Sequence, residues 1–78
     1  MELTIDCRQE MAAIHEQFAQ GLSFPAHYGK NLDALHDCLT SLTGIVHLRL
    51  LYPEAQPALC MVVMDAADEN PSIDLRLA

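Results

Sequence analysis

An α/β fold built on a small parallel sheet is what this sequence predicts, and three observations carry the prediction. Three short stretches, Glu2–Asp6, Ile45–Leu51 and Ser72–Ala78, alternate apolar and polar residues as half-buried strands do. Between them, apolar residues recur at three- and four-residue steps, the period of an amphipathic helix. Strands joined by helical crossovers run parallel, with right-handed connections. A parallel sheet covered on both faces reads as continuous apolar runs, whereas these strands alternate. The sheet is therefore expected to be two-layered, with helices on one face and water on the other, in one domain spanning residues 1–78.

The elements follow in order. Glu2–Asp6 places Leu3 and Ile5 on one side and Glu2, Thr4 and Asp6 on the other. Arg8–Gln20 carries Met11, Ile14, Phe18 and Ala19 near helical spacing, with Gly21 as its expected stop. Leu22–Lys30 reads as irregular, because Pro25 disfavours helix before it and Gly29 permits a turn. Asn31 is a good N-cap for a second helix reaching about Leu42, and Asp33 lies in its first turn, where the helix dipole favours a carboxylate. In Ile45–Leu51, Val46, Leu48 and Leu50 face one way, His47 and Arg49 the other.

Glu54–Asn70 is ambiguous by composition, since Leu-Cys-Met-Val-Val-Met also suits a buried strand. Helix is the expectation: Pro57 fits a first turn, and Leu59, Val62, Val63, Ala66 and Ala67 share one face. Asp65 and Glu69 then stand one turn apart on the polar side, with Asp68 beside them, and Asn70-Pro71 ends the helix. In the last stretch Ile73, Leu75 and Leu77 point inward, Asp74 and Arg76 outward.

Composition narrows the function classes. Eleven acids against four Lys and Arg give a formal net charge of −7, which repels nucleic acid and anionic membranes and attracts a basic protein. No apolar run approaches the ~18 residues of a membrane span. The Met-Glu-Leu-Thr-Ile-Asp start has neither a basic region nor an apolar signal core, so the expected location is the cytoplasm. Cys7, Cys38 and Cys60 are odd in number and widely spaced, which fits buried thiols better than disulfides or a zinc knuckle.

Chemistry-bearing patterns are sparse. No phosphate-binding glycine motif follows a strand, so no nucleotide or other small-molecule substrate is expected, and no cofactor. His27, Asp33, His36, Asp37 and Cys38 include ligand types but lack His-x₃-His or Cys-x₂-Cys spacing, so no metal is expected. Catalysis by Asp33 and Asp37 would need one carboxyl desolvated near neutral pH, and His36 and Cys38, two apart on a helix, diverge. The chain reads as a non-enzyme. What remains is a surface: Leu32, Leu35, Leu39 and Leu42 form the buried stripe of the second helix, and Asp33 and Asp37 form an exposed column on a different face.

The stretch Phe24–Thr40 carries a more specific pattern. Pro25, Tyr28, Gly29, Asn31, Leu32, Asp33, Ala34, Leu35, Asp37, Cys38, Leu39 and Thr40 form a nearly ungapped match that resembles the barstar family of intracellular ribonuclease inhibitors. The resemblance implies a three-stranded parallel sheet in order 1-2-3, with three to four helices packed on one face. It also implies that the second helix and the loop before it cover the active site of a basic ribonuclease or ribonuclease-like toxin. Asp37 then occupies the position of a substrate phosphate, Asp33 is the second acid of the helix, and His27, Tyr28, Gly29, Asn31 and His36 flank them. Aligned backward from the last strand, Asp65 and Glu69 fall on the third-helix acids of the family. The chain departs from the family pattern at His27, where an aromatic is usual, at Lys30, where an acid is common, and at His36, where an aromatic is frequent. The alternative expectation is a barstar-like interaction module for a basic partner that is not a nuclease.

Overall fold

The central strand explains the rest of the architecture. In the computed structural model, which describes residues 1–78, β2 (Val46–Leu51) lies between β1 (Glu2–Asp6) and β3 (Ile73–Leu77), all parallel, in order 1-2-3. Leu3 pairs with Leu48 and Leu48 with Leu75 across the three strands. Val46, Leu48 and Leu50 are buried while His47 and Arg49 are exposed, the alternation expected of a sheet with one wet face.

Three helices cover the other face: α1 (Met11–Gly21), α2 (Leu32–Thr40) and α3 (Pro57–Glu69), with a short 3₁₀ turn at Pro53–Ala55 before α3. Ile14 and Phe18 from α1, Leu35 and Leu39 from α2, and Leu59, Val63 and Ala66 from α3 meet Ile5, Val46, Leu48, Leu50 and Ile73 in one core. Burying each large aliphatic side chain contributes about 1.5–3 kcal/mol. Leu35, fully buried at the centre of α2, is the residue whose truncation to Ala most directly loosens that helix, at about 2–5 kcal/mol.

Three helix boundaries differ from the sequence expectation, each for a local reason. The first helix begins at Met11 rather than Arg8, because the Asp6 carboxylate accepts from the Arg8 backbone N–H at 2.9 Å and from its guanidinium at 2.7 Å. Those Arg8 hydrogen bonds hold the Asp6 carboxyl below the usual carboxylate range, and the guanidinium lies 3.8 Å from the centre of the Tyr52 ring. Gly21 is the last helical residue rather than a left-handed stop, since its φ is not positive. Its small size matters because a Cβ there would sit 2.7 Å from Leu3 Cδ1, so α1 closes directly onto β1.

The second helix ends at Thr40, short of Leu42. The Thr40 and Ser41 hydroxyls donate to the Asp37 carbonyl at 3.1 and 2.7 Å and satisfy the frayed last turn. The third helix begins at Pro57, and the residues before it form the separate 3₁₀ turn. Pro57 at N1 loses nothing by lacking an N–H, which is why the helix starts there.

Candidate partner-binding face

The loop from Leu22 to Asn31 and helix α2 form one unit, anchored from below. Leu22 and Tyr28 are buried, and the Phe24 ring meets Tyr28 edge-on with centroids 5.0 Å apart. The Tyr28 hydroxyl lies 2.6 Å from Nδ1 of His15, itself only 5% exposed on α1. Tyr28, expected on the contact surface, is thus turned inward with 8% of its surface exposed. A buried phenol hydroxyl needs a partner, and His15 supplies it. Burial, with a smaller effect from Cys38, pushes the Tyr28 hydroxyl up to about 12, so it stays protonated. Burial also lowers the basicity of His15, with Lys30 adding to it, which keeps the ring neutral.

Asn31 starts α2 as expected. Its Oδ1 accepts from the Ala34 N–H at 2.8 Å, and its Nδ2 donates to the Gly29 carbonyl at 3.4 Å. A Cβ on Gly29 would come within 3.1 Å of that Nδ2, so glycine lets the loop close onto the cap. Lys30 takes a left-handed backbone (φ 53°) and its ammonium pairs with Glu16 of α1 at 3.0 Å. The one cation of the loop is therefore directed toward α1.

With the helix fixed, Asp33 and Asp37 are both exposed, one turn apart. His27 is exposed as well, and it lines with Asp37 a cleft of about 350 Å³ between the loop and the end of α2. Phe24, Pro25 and Leu42 give that cleft an apolar wall. Cys38 also borders it, but burial and then the Asp37 charge push its thiol up, so it stays protonated and unreactive. No three His, Cys, Asp or Glu side chains gather as a metal site.

The third helix packs against α2 in the core and meets it at the surface through a charged side-chain pair. Nε2 of His36 lies 2.5 Å from Glu69 Oε2, linking α2 to α3. Asp65 is exposed one turn earlier on α3, with Asp68 exposed beside Glu69. The structure thus brings His36 and Glu69 together and places His27 and Asp37 along the same cleft, while Tyr28 packs beneath the loop in the core.

Two supporting residues escaped the sequence reading. One is His15, whose place in the apolar stripe of α1 was the available signal. The other is Asn70, read only as a helix stop. Its buried Nδ2 donates to the carbonyls of Leu39 at 2.9 Å and Leu42 at 3.0 Å, and its Oδ1 accepts from the Ser72 N–H at 3.0 Å. Asn70 therefore fixes the C-terminal end of α2 to the turn between α3 and β3.

Comparison with known proteins places this arrangement. A Bacillus subtilis (strain 168) protein named "Putative ribonuclease inhibitor YrdF" is 44% identical over 41 residues, which is 50% of this chain and 45% of that protein. The chain thus matches somewhat less than half the length of this curated relative. The sequence model of the family described as Barstar (barnase inhibitor) matches residues 1–70, and with the parallel 1-2-3 sheet beneath three helices, the chain belongs to the barstar family.

Proposed function

We propose that this protein is a non-enzymatic, cytoplasmic inhibitor of a small basic ribonuclease, occluding the active site with the α1–α2 loop and the acidic face of α2. The observation that carries this reading is the exposed Asp33–Asp37 pair on a helix fixed at both ends, by the Asn31 cap and the Asn70 clamp. An active site built for RNA presents cations to phosphate, and a carboxylate at that position gains charge-assisted hydrogen bonds. Because α2 is held in place before binding, little ordering entropy opposes association. The net charge of −7 steers a basic partner toward the chain and raises the association rate.

On this reading Asp37 is the phosphate mimic, with Asp33, Asp65 and Glu69 as outer acids. His27, Gly29, Asn31 and His36 shape the contact, and Tyr28 supports it from beneath. The protective logic is that of an immunity protein, silencing a nuclease inside the cell that makes it. The test is titration of a barnase-type ribonuclease with the purified protein. RNA cleavage should fall to zero at one molar equivalent, and the inhibition should weaken steeply with added salt. Undiminished cleavage by every such nuclease of the source organism would refute the reading.

A further inference from the structure

The uncovered face of the sheet carries its charge in two rows. Strand pairing sets Glu2, His47 and Asp74 side by side in one, and Thr4, Arg49 and Arg76 in the next. In the first row His47 Nδ1 lies 3.0 Å from Asp74 Oδ2. The second row holds two guanidinium groups and no carboxylate. Arg76 Nε reaches back to the Asp74 oxygen only at 3.9 Å, and Arg49 meets no acid within ion-pair distance. The other two cations of the chain are engaged, Arg8 by Asp6 and Lys30 by Glu16. Like charges opposite one another on neighbouring strands destabilise a sheet, and the acid beside this pair, Asp74, sits at the limit of ion-pair distance from Arg76 with the same oxygen 3.0 Å from His47. The face is also concave, with a depression of about 510 Å³ lined by Glu2, Thr4, His47, Arg49, Asp74 and Arg76.

We propose that this depression binds a small phosphomonoester, its phosphate held by Arg49 and Arg76 and its hydroxyl groups by Glu2 and Asp74. Two adjacent guanidinium forks match a dianion with three free oxygens, whereas a single carboxylate is satisfied by one fork. The Thr4 hydroxyl, at the same register, is a further donor. One row along, with backbone positions about 7 Å away, Glu2 and Asp74 supply carboxylate acceptors suited to the hydroxyls of a sugar, the Asp74 oxygen itself reaching to 3.9 Å from Arg76 Nε.

Size favours a small ligand over a macromolecule. Three strands of about five residues offer a face of roughly 15 by 17 Å, about a third of the ~800 Å² per partner of a stable protein interface. The depression lies within the ~300–1,000 Å³ range of small-molecule sites. A nucleic acid strand would meet the repulsion of the whole acidic chain.

The experiment is an amide-resolved NMR titration of the full chain with ribose 5-phosphate, inorganic phosphate and ribose. Ribose 5-phosphate is expected to saturate, with shifts confined to the three strands, and to bind at least about threefold tighter than phosphate; ribose alone is expected to leave the spectrum unchanged. Arg49→Gln and Arg76→Gln should each weaken ribose 5-phosphate by at least about tenfold, the loss of one charge-assisted contact, with the urea midpoint unlowered, since each removes one of two facing like charges, and ribonuclease inhibition unaltered. The proposal is overturned by shifts that never saturate or that centre on Arg8 or Lys30. Arginine variants that bind as wild type, or equal affinity for phosphate and ribose 5-phosphate, would overturn it equally.

Discussion

Nδ1 of His15 and the hydroxyl of Tyr28 lie 2.6 Å apart inside the core, and this pair joins α1 to the loop that leads into α2. The proposed contact surface therefore rests on a buried hydrogen bond that includes a titratable ring. Its folded-state basicity is lowered, chiefly by burial. As pH falls through about 6.5, the unfolded chain takes up that proton before the folded one does. The stability associated with His15 is thus fully present above the unfolded value and is lost as pH drops toward the folded one. Urea unfolding at about pH 7.5 and pH 5.5 should show a loss at the lower pH that shrinks in His15→Gln, which carries no proton.

Tyr28→Phe leaves the aromatic packing and removes the hydroxyl. It should cost about 1–2 kcal/mol, because Nδ1 of His15 is then buried without its partner. Chemical denaturation measures the loss, and a crystal structure of the variant should show the loop displaced more than α1.

Asn70→Ala frees the Leu39 and Leu42 carbonyls from the side chain that holds them. A stability loss of about 2 kcal/mol is expected by urea titration. Amide exchange should quicken in the last turn of α2 before it does in β2, since the clamp acts at that end.

Lys30 and Glu16 form an exposed pair, so Glu16→Gln should change stability by less than about 0.5 kcal/mol. It would free a cation just ahead of Asp33, however, and lower the local negative potential. Stopped-flow mixing with the proposed ribonuclease partner should show slower association at low salt, a difference that fades as salt is added.

Much of this was legible in the sequence because local signals agreed with the global fold. Period-two alternation in three strands, the Asn31 cap, the Leu32–Leu35–Leu39 stripe and Pro57 each pointed to the element that forms. The exposed Asp33–Asp37 pair followed from spacing alone. What escaped were side chains whose role is set by distant partners. Asn70 meets carbonyls 28 and 31 residues away, and Tyr28 meets an imidazole 13 residues away. No local pattern encodes such contacts. Lys30 looked like a cation in an acidic face until its pairing with Glu16 across the loop was visible.

The most direct measurement is the inhibition constant of Asp37→Ala, beside that of wild type, against the barnase-type ribonuclease proposed as the partner. Asp37 is exposed and its side chain supports no part of the core, so the variant should keep the wild-type urea midpoint. If Asp37 stands in for the substrate phosphate, inhibition should weaken by at least about 30-fold, the threshold of an interface hot spot. A folded Asp37→Ala protein that inhibits as tightly as wild type would contradict that assignment.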